Sequence, residues 1–378
     1  MWFENRLLRK IENSTSGKDS FSMVDKNRRL ITAHDVARLA GVSQSAVSRT
    51  YTKGASVSPA TREKVEAAAA ALGYRPNLAA RSLITRRSNL IAVVVPSMAN
   101  PFYSAVLEAL SQAFELKGYR VLLFSTASND DSDPILEDVL RYRVEAVILV
   151  SSTLSSSFAE ECKQTGLPVV LLNRKNDSQT VSSVTSDNVE GGRLTANFLI
   201  ASGHQNLAFI AGNDLSSTSR DRELSFTREI LSNGLPPPMR EIGNFSFDGA
   251  IIATRRLLAA RQPPDGIFCA NDLMAIAALN VATKEFGLTP GKNISIVGFD
   301  NIEMARWPLI GLTTYVQPTM SMVQRAVEIV SAQLSESSVA PTDQVITGSL
   351  IVRQTARLPS SGLIYVGDET HWRDDSVS

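Results

Sequence analysis

Short apolar runs alternate with helix-like segments from residue 89 onward, and this alternation is the strongest constraint on the fold. Leu90–Val95 is apolar throughout, residues 105–117 have the spacing of an amphipathic helix, and Arg120–Ser125 is strand-like again. Apolar strands joined by helices are typical of parallel sheets with right-handed crossovers. Roughly ten such units are too many for one small sheet. We therefore expect an α/β core of two lobes.

The alternation continues along most of the chain and predicts where a ligand would bind. Further predicted helices cover 134–141, 158–164, 189–201, 220–231, 249–260 and 273–286, and further predicted strands cover 146–150, 168–172, 207–211, 266–269 and 294–298. Ligands of open parallel sheets bind beyond the carboxyl ends of the strands. In a two-lobed core those ends can face a common cleft, which is the expected ligand site.

A different, purely helical pattern occupies residues 32–72. Thr32 can cap a first helix, Gly41 breaks it, Ser43 can cap a short second helix, and a third ends near residue 72. This is the layout of a helix-turn-helix. The second helix would present Gln44, Ser45 and Arg49 outward, where they suit base edges in a major groove. An ordinary αα corner remains the alternative from this pattern alone.

The charge of the chain is divided between its two parts. Residues 1–88 hold 16 lysines and arginines against 7 aspartates and glutamates, whereas residues 89–378 hold 22 against 31. A basic head on an acidic body is typical of a nucleic-acid-binding module fused to another domain. A solvated basic tail would give the same balance.

Specific motifs in both parts resemble one known family. In the head they are Asp35-Val36-Ala37, Ala40-Gly41-Val42-Ser43, Val47-Ser48-Arg49, Val57-Ser58, Thr61-Arg62-Glu63-Lys64-Val65 and Leu72-Gly73-Tyr74-Arg75-Pro76-Asn77. In the body they are Asn100-Pro101-Phe102-Tyr103, Asn271-Asp272, Gly298-Phe299-Asp300 and Leu312-Thr313-Thr314. Taken in this order, residues 31–355 resemble the LacI/GalR (lactose/galactose repressor) family of transcriptional regulators.

The resemblance implies an architecture and a function. The fold would be an all-α helix-turn-helix head with an α/β two-lobed core like periplasmic sugar-binding proteins. The expected parts are an N-terminal extension (1–30), the head (31–77), a hinge helix or linker (78–88), the core (89–356) and a polar C-terminal tail (357–378). Such proteins are homodimers or tetramers on double-stranded operator DNA. The tail shows no heptad, so we expect a homodimer.

The resemblance also assigns DNA-binding residues. The expected DNA-binding residues are Thr32, His34, Ser43, Gln44, Ser45, Arg49 and Leu83. Hydroxyls near helix N-termini suit phosphate oxygens, Gln44 and Ser45 occupy the two specificity positions, and Leu83 would wedge into the minor groove. His34 could be a plain surface residue, and Leu83 could instead pack between head and core.

A second group of residues would bind a small effector, expected to be sugar-like. It consists of Phe102, Tyr103, Arg174, Arg222, Asp272 and Trp307. Aromatic faces stack on sugar rings, and Arg and Asp make directional hydrogen bonds to adjacent hydroxyls. Phe102 and Tyr103 could instead pack under the following helix. Asp272 could instead cap the helix after the strand at 266–269, and Trp307 could anchor a loop.

The competing hypotheses are an enzyme and a secreted sugar-binding protein. No Gly-x-Gly-x-x-Gly follows the first strand, and the three histidines, His34, His204 and His371, show no ligand spacing with Cys, Asp or Glu. We therefore expect no enzyme activity, no metal and no cofactor. No run approaches about 18 apolar residues, and the N-terminus lacks the apolar region of a secretory signal. These features predict a cytoplasmic protein without membrane contact.

Overall fold

The computed structural model describes residues 31–52, 54–76, 87–125, 133–151, 156–175, 180–336 and 339–374. The expected N-terminal extension and most of the hinge, including Leu83, lie outside the described residues. The chain divides into two compact units, Met1–Arg86 and Arg87–Ser378.

Three helices enclose a small apolar core in the N-terminal unit. They are α1 (Ala33–Ala40), α2 (Gln44–Thr50) and α3 (Pro59–Leu72). One valine from each helix, Val36, Val47 and Val65, is at most 1% exposed. This contact between three short helices holds α2 in place although it has only seven residues.

The helix boundaries follow from the capping residues. Thr32 and Ser43 accept hydrogen bonds from the backbone N–H groups at the N-termini of α1 and α2, as their sequence positions predict. Gly41 ends α1 in a left-handed conformation with φ 63°, which glycine adopts without a Cβ clash. The predicted helix-turn-helix is confirmed.

The second unit alternates strands and helices. Its strands are β1 (Leu90–Val95), β2 (Arg120–Ser125), β3 (Ala146–Val150), β4 (Val169–Leu172), β5 (Ser182–Ser186), β6 (Leu207–Ala211), β7 (Met239–Ile242), β8 (Gly266–Cys269), β9 (Ser295–Asp300), β10 (Thr313–Val316), β11 (Asp343–Ile346), β12 (Ser349–Val352), β13 (Leu363–Val366) and β14 (Glu369–Trp372). Its helices are α4 (Pro101–Leu116), α5 (Asp133–Arg141), α6 (Ser156–Thr165), α7 (Asn188–Ala201), α8 (Ser217–Ser232), α9 (Phe247–Leu258), α10 (Asp272–Lys284) and α11 (Thr319–Ser335). None of these helices is long and apolar enough to cross a membrane.

The first lobe is a parallel sheet of six strands in the order β11-β5-β4-β3-β1-β2. Alternate residues of β1 face opposite sides: Ile91 and Val93 share a core with α4, whereas Ala92 and Val94 share one with α5 and α6. Because helices cover both faces, β1 is apolar at every position.

The second lobe is a sheet of eight strands in the order β13-β14-β12-β10-β9-β8-β6-β7. The strands from β10 to β7 are parallel, and β12, β14 and β13 add to the edge in antiparallel pairing. The chain passes between the lobes three times: between β5 and β6, between β10 and β11, and between β11 and β12. The two-lobed α/β core expected from the alternation is confirmed.

The expected polar tail at 357–378 is wrong for residues 363–372, which form two strands. Residues 363–372 form the hairpin of β13 and β14, which pairs with β12. Trp372 is 6% exposed and packs edge-on against Phe198 of α7, with ring centroids 5.7 Å apart. Asp374 accepts hydrogen bonds from Arg193 and Asn197, both at 2.8 Å. The buried Trp372 ring and the half-buried carboxylate of Asp374 attach the C-terminal segment to α7.

Candidate functional site

A cavity lies where the carboxyl ends of strands from both lobes meet. The first lobe contributes Asn100, Phe102, Tyr103, Ser151, Asn173 and Arg174, and the second contributes Asn213, Ser216, Thr218, Arg222, Phe245, Asn271 and Asp300. Its volume is about 430 Å³, including the part open to solvent. A site beyond the strand ends, between two lobes, is the location that parallel sheets favour for ligands.

Arg222 of α8 is the central charge of the cavity, although its side chain is only 2% exposed. Its Nε donates to Oδ1 of Asn188 at 2.8 Å, and its Nη1 donates to the carbonyl of Ala270. The guanidinium carbon lies 3.4 Å from the centre of the Phe299 ring. Its Nη2 has no hydrogen-bond partner. Burial lowers the pKa of Arg222 to about 10, so the group stays charged at neutral pH.

Two further polar residues end neighbouring strands of the second lobe. Asn271 caps α10, because its Oδ1 accepts from the N–H of Met274 at 2.9 Å. The Nδ2 of the same amide has no hydrogen-bond partner. Asp300 ends β9 in a left-handed conformation with φ 129° and accepts from Nε2 of Gln317 at 2.6 Å. Burial raises the pKa of Asp300 far above 3.8, while the charge of Arg222 opposes that rise. The two residues add an amide donor without a partner and a carboxyl group to the cavity.

Phe102 and Tyr103 line the cavity from the first turn of α4. Their ring centroids are 5.6 Å apart and the rings meet edge to face. Burial raises the pKa of Tyr103 to about 12, so its hydroxyl stays protonated. Phe102 is also 4% exposed and shares the core of the first lobe. Phe102 therefore packs in the core of the first lobe and also lines the cavity.

Arg174 follows β4 and joins the two lobes across the cavity. Its Nη2 donates to the carbonyl of Leu215 at 2.6 Å, and its Nη1 donates to the carbonyl of Ser151 at 3.4 Å. The next residue, Lys175, forms an ion pair of 3.3 Å with Asp221 of α8. These contacts bring the lobes together on one side of the cavity.

Two of the predicted effector-binding residues do not line this cavity. Asp272 is fully buried, and its carboxylate accepts from the N–H of Ile302 at 2.9 Å and from the hydroxyl of Thr314 at 2.6 Å. The prediction that Asp272 caps α10 is wrong, because Asn271 is the N-cap and Asp272 is the first helical residue. Trp307 is 48% exposed after the 3₁₀ helix Glu303–Arg306.

The predicted DNA-binding residues of the head are exposed on α1, on α2 and at the N-caps of these helices. Gln44, Ser45 and Arg49 are exposed on α2, and His34 is exposed on α1. The hydroxyl of Ser43 accepts from the N–H of Ala46 at 3.2 Å. Thr32 also caps its helix, with its own hydroxyl donating to Asp35 at 2.7 Å. Leu83 cannot be placed, since it lies outside the described residues.

Comparison with known proteins gives matches to both units. Residues 32–77 match the family described as bacterial regulatory proteins, lacI family, and residues 196–356 match the periplasmic binding protein-like domain. The regulator CelR of Thermobifida fusca is 30% identical over 87% of this chain and 99% of its own length. The chain belongs to the LacI family.

Solved structures agree with this LacI-family assignment. The lac repressor dimer, bound to operator and the anti-inducer ONPF, is 30% identical with a TM-score of 0.77 and covers 86% of this chain and 99% of its own. A CelR–cellobiose complex is 29% identical with a TM-score of 0.65 and covers 86% and 100%. Catabolite control protein A of Priestia megaterium is 29% identical over 82% of this chain and 94% of its own length. This chain is thus a LacI-family transcriptional regulator, and the relatives named are regulators rather than enzymes.

Several cavity residues of this LacI-family protein were not among the predicted site residues. Asn271 and Asp300 stand at strand ends, so the strand-end rule could have identified them. Phe245 follows β7, which the alternation did not predict. Its backbone has φ 54°, uncommon for a bulky residue, and its ring occupies the space that a Cβ on Gly212 would need. No local sequence signal marks such an aromatic residue.

The fold also creates a Ser–His–Asp arrangement that sequence spacing did not reveal. His204 lies 2.7 Å from Oγ of Ser295 through Nε2 and 3.2 Å from Asp265 through Nδ1. His204 and Ser295 are fully buried, and the serine oxygen also accepts from the N–H of Arg357 at 2.8 Å. None of these residues lines the cavity described above. A nucleophile needs access to substrate. This arrangement instead connects the segment after α7 with the start of β9 and with the residue before β8.

Proposed function

We propose that this LacI-family regulator represses transcription as a homodimer on double-stranded operator DNA, and that a small sugar-like effector controls it from the cavity. The observation that carries the proposal is a set of buried polar atoms without hydrogen-bond partners on residues that line one cavity. Nη2 of Arg222 and Nδ2 of Asn271 are donors, and Oδ1 of Asn173 is an acceptor. Buried polar groups without partners are costly unless a ligand satisfies them.

The chemistry of the lining favours a polyhydroxylated ligand. Each sugar hydroxyl both donates and accepts, which matches the mixture of donors and acceptors. The rings of Phe102, Tyr103 and Phe245 offer apolar faces for a sugar ring. One related regulator is known as a complex with cellobiose. We assign ligand contacts to Arg174 and Arg222, a supporting role to Asp272, and no direct contact to Trp307.

In the head, we propose that Gln44, Ser45 and Arg49 read base edges in the major groove. Exposed donors and acceptors on the second helix are suited to this task. Ser43 and His34 would position the head on phosphates. Thr32 would do so less effectively, because its hydroxyl proton already points to Asp35.

Effector control requires a link between the cavity and the DNA. A ligand that prefers one arrangement of the lobes shifts the population towards it. In a homodimer, that arrangement would set the spacing of the two hinge segments at 78–88, with Leu83 wedged between base steps. The division into extension, head, hinge and core at 1–30, 31–77, 78–88 and 89–356 belongs to this proposal. We also propose that the protein acts in the cytoplasm, where its DNA target lies, and that it needs no cofactor.

The test combines operator selection with salt titration of the full chain. The operator is selected from a randomised duplex, and its affinity is measured across a range of salt concentrations. Each neutralised phosphate contributes about −0.9 to the slope of log K against log salt. A dimeric head should give a slope of about −5 or steeper. No selected sequence, or a slope near zero, would reject DNA binding by the head.

A further inference from the structure

We infer that Asn188 is a positioning residue for effector binding, because it aims the free amino group of Arg222 into the cavity. Asn188 itself does not line the cavity. It stands at the start of α7, is 2% exposed, and accepts from Nε of Arg222 at 2.8 Å. This inference rests on the proposed function, since it assumes that a ligand meets Arg222.

The orientation of the Asn188 amide is fixed by its other end. Its Nδ2 donates to the carbonyl of Ser186 at 2.9 Å. A carbonyl only accepts, so the amide nitrogen must face Ser186 and the amide oxygen must face Arg222. The helix that carries Asn188 is held in turn by Asp187, whose carboxylate accepts from the N–H of Glu190 at 2.9 Å. The acceptor for Arg222 is therefore in place before any ligand arrives.

Two glycines allow α7 to approach closely enough for this contact. A Cβ on Gly192 would collide with the backbone of Arg222 and the hydroxyl of Ser225 on α8. A Cβ on Gly191 would collide with the ring of Phe299, on which the guanidinium lies. Close approach of two helices is a specific use of glycine. The same segment of α7 thus supports both the acceptor and the aromatic ring beneath Arg222.

These contacts leave one direction free for the guanidinium. Asn188 holds Nε, the carbonyl of Ala270 holds Nη1, and Phe299 fixes the plane, while Nη2 remains for a ligand. A guanidinium ordered before binding loses less entropy when the ligand arrives. Without Asn188 the guanidinium of Arg222 would tilt, and its Nη2 would point towards the ligand in a smaller fraction of conformers.

The first experiment compares three variants on the same helix. Asn188→Leu removes the acceptor, and Asn188→Asp keeps an acceptor oxygen. Asn197→Leu is the matched control on the same helix, since the Asn197 amide donates to Asp374 rather than to Arg222. The probes are D-ribose, D-glucose and cellobiose, and the sugar that raises the melting temperature of the wild type most is used for calorimetry. We expect Asn188→Leu to bind about tenfold more weakly. Asn188→Asp and Asn197→Leu should stay within about threefold of the wild type.

A double-mutant cycle separates positioning from general destabilisation. In an Arg222→Lys background Nε is absent, so Asn188→Leu should weaken sugar binding by less than about twofold. A further tenfold loss would mean that Asn188 acts through something other than Arg222, which overturns the inference. If Arg222→Lys binds the sugar like the wild type, the proposed cavity fails. If Arg222→Lys weakens binding and Asn188→Leu does not, only the positioning role fails.

A second measurement needs no ligand. The Nε–H signal of Arg222, assigned by its absence in Arg222→Lys, should exchange slowly with solvent in the wild type. Asn188→Leu should shift this signal and speed its exchange, whereas Asn197→Leu should leave both unchanged. An unchanged signal in Asn188→Leu would overturn the inference even if none of the three sugars binds.

Discussion

Replacing Asp272 by alanine should destabilise the core rather than remove a ligand contact. The carboxylate accepts from the N–H of Ile302 and the hydroxyl of Thr314, and both donors are buried. Each buried donor left without a partner costs about 1–3 kcal/mol. Burial raises the pKa of Asp272, so its removal also relieves part of a desolvation cost. We expect a net loss of about 2–4 kcal/mol in the free energy of unfolding.

Thermal unfolding of the full chain measures this effect. At roughly 2–4 °C per kcal/mol for a domain of this size, the core transition should fall by roughly 4–16 °C. Asp272→Asn should lose less, because one acceptor oxygen remains. Asp248→Ala is the matched control: Asp248 also lies in the first turn of a helix but is exposed. Its loss should cost only about 0.3–1 kcal/mol through the helix dipole.

Sugar binding distinguishes the two roles of Asp272. If Asp272 has a supporting role, its replacement should lower the stability of the protein. Sugar binding should then weaken only because the segment from Asp300 to Ile302 is displaced. An Asp272→Ala protein with the melting temperature of the wild type and no sugar binding would refute the reasoning. It would restore Asp272 as a ligand contact.

Three further predictions concern the head, the hinge and the cavity. Gln44→Ala or Ser45→Ala should cost roughly 1–3 kcal/mol at preferred bases with little loss of nonspecific affinity; unchanged preference in a randomised-operator selection would contradict this. Leu83→Ala should weaken operator binding and reduce DNA bending measured by fluorescence energy transfer; equal bend angles would return Leu83 to a packing role. Burial raises the pKa of Asp300 to about 8, so the folded chain holds this proton more tightly than the unfolded chain, and the contribution of this group to stability falls as pH rises from about 4 to about 8. The melting temperature of Asp300→Asn should therefore rise relative to that of the wild type between about pH 4 and about pH 8; parallel curves would contradict the assignment.

Much of the architecture could be predicted because its signals are local. Capping by Thr32 and Ser43 and the glycine at position 41 define the helix-turn-helix within one short segment. Apolar runs such as β1 mark buried parallel strands, and their ends locate the cavity without any knowledge of its residues. The strand-end rule therefore predicted the place of the site better than the individual side chains.

Edge strands were missed because their burial is partial. In β7 exposed and half-buried positions alternate over only four residues, and β13 is almost entirely exposed. The acidic residues near the C-terminus favoured a polar tail, although the same segment contains a turn typical of a hairpin. Gly367 and Asp368 form a two-residue connection between β13 and β14, with Gly367 at φ 60°, a turn that hairpins favour.

Contacts between distant segments explain why the sequence did not identify the partners of several buried polar residues. Asp272 meets Thr314 across 42 positions, and Arg222 meets Asn188 across 34. His204 meets Ser295 across 91. Neither composition nor spacing identifies such partners, since only the packing of strands brings them together. Asp272 accepts hydrogen bonds from a backbone N–H and a hydroxyl of the protein itself, whereas the sequence predicted a contact with ligand hydroxyls.

The most direct test of effector-controlled DNA binding titrates the full chain onto its selected operator with and without the sugar that raises its melting temperature most. The sugar should change the operator Kd by about tenfold or more, within the usual range of coupling between sites. Arg222→Lys should keep the sugar-free operator Kd within about twofold and lose the response to sugar, because head and cavity lie in separate units. An operator Kd that the sugar leaves unchanged in the wild type, or a full response in Arg222→Lys, would contradict control from this cavity.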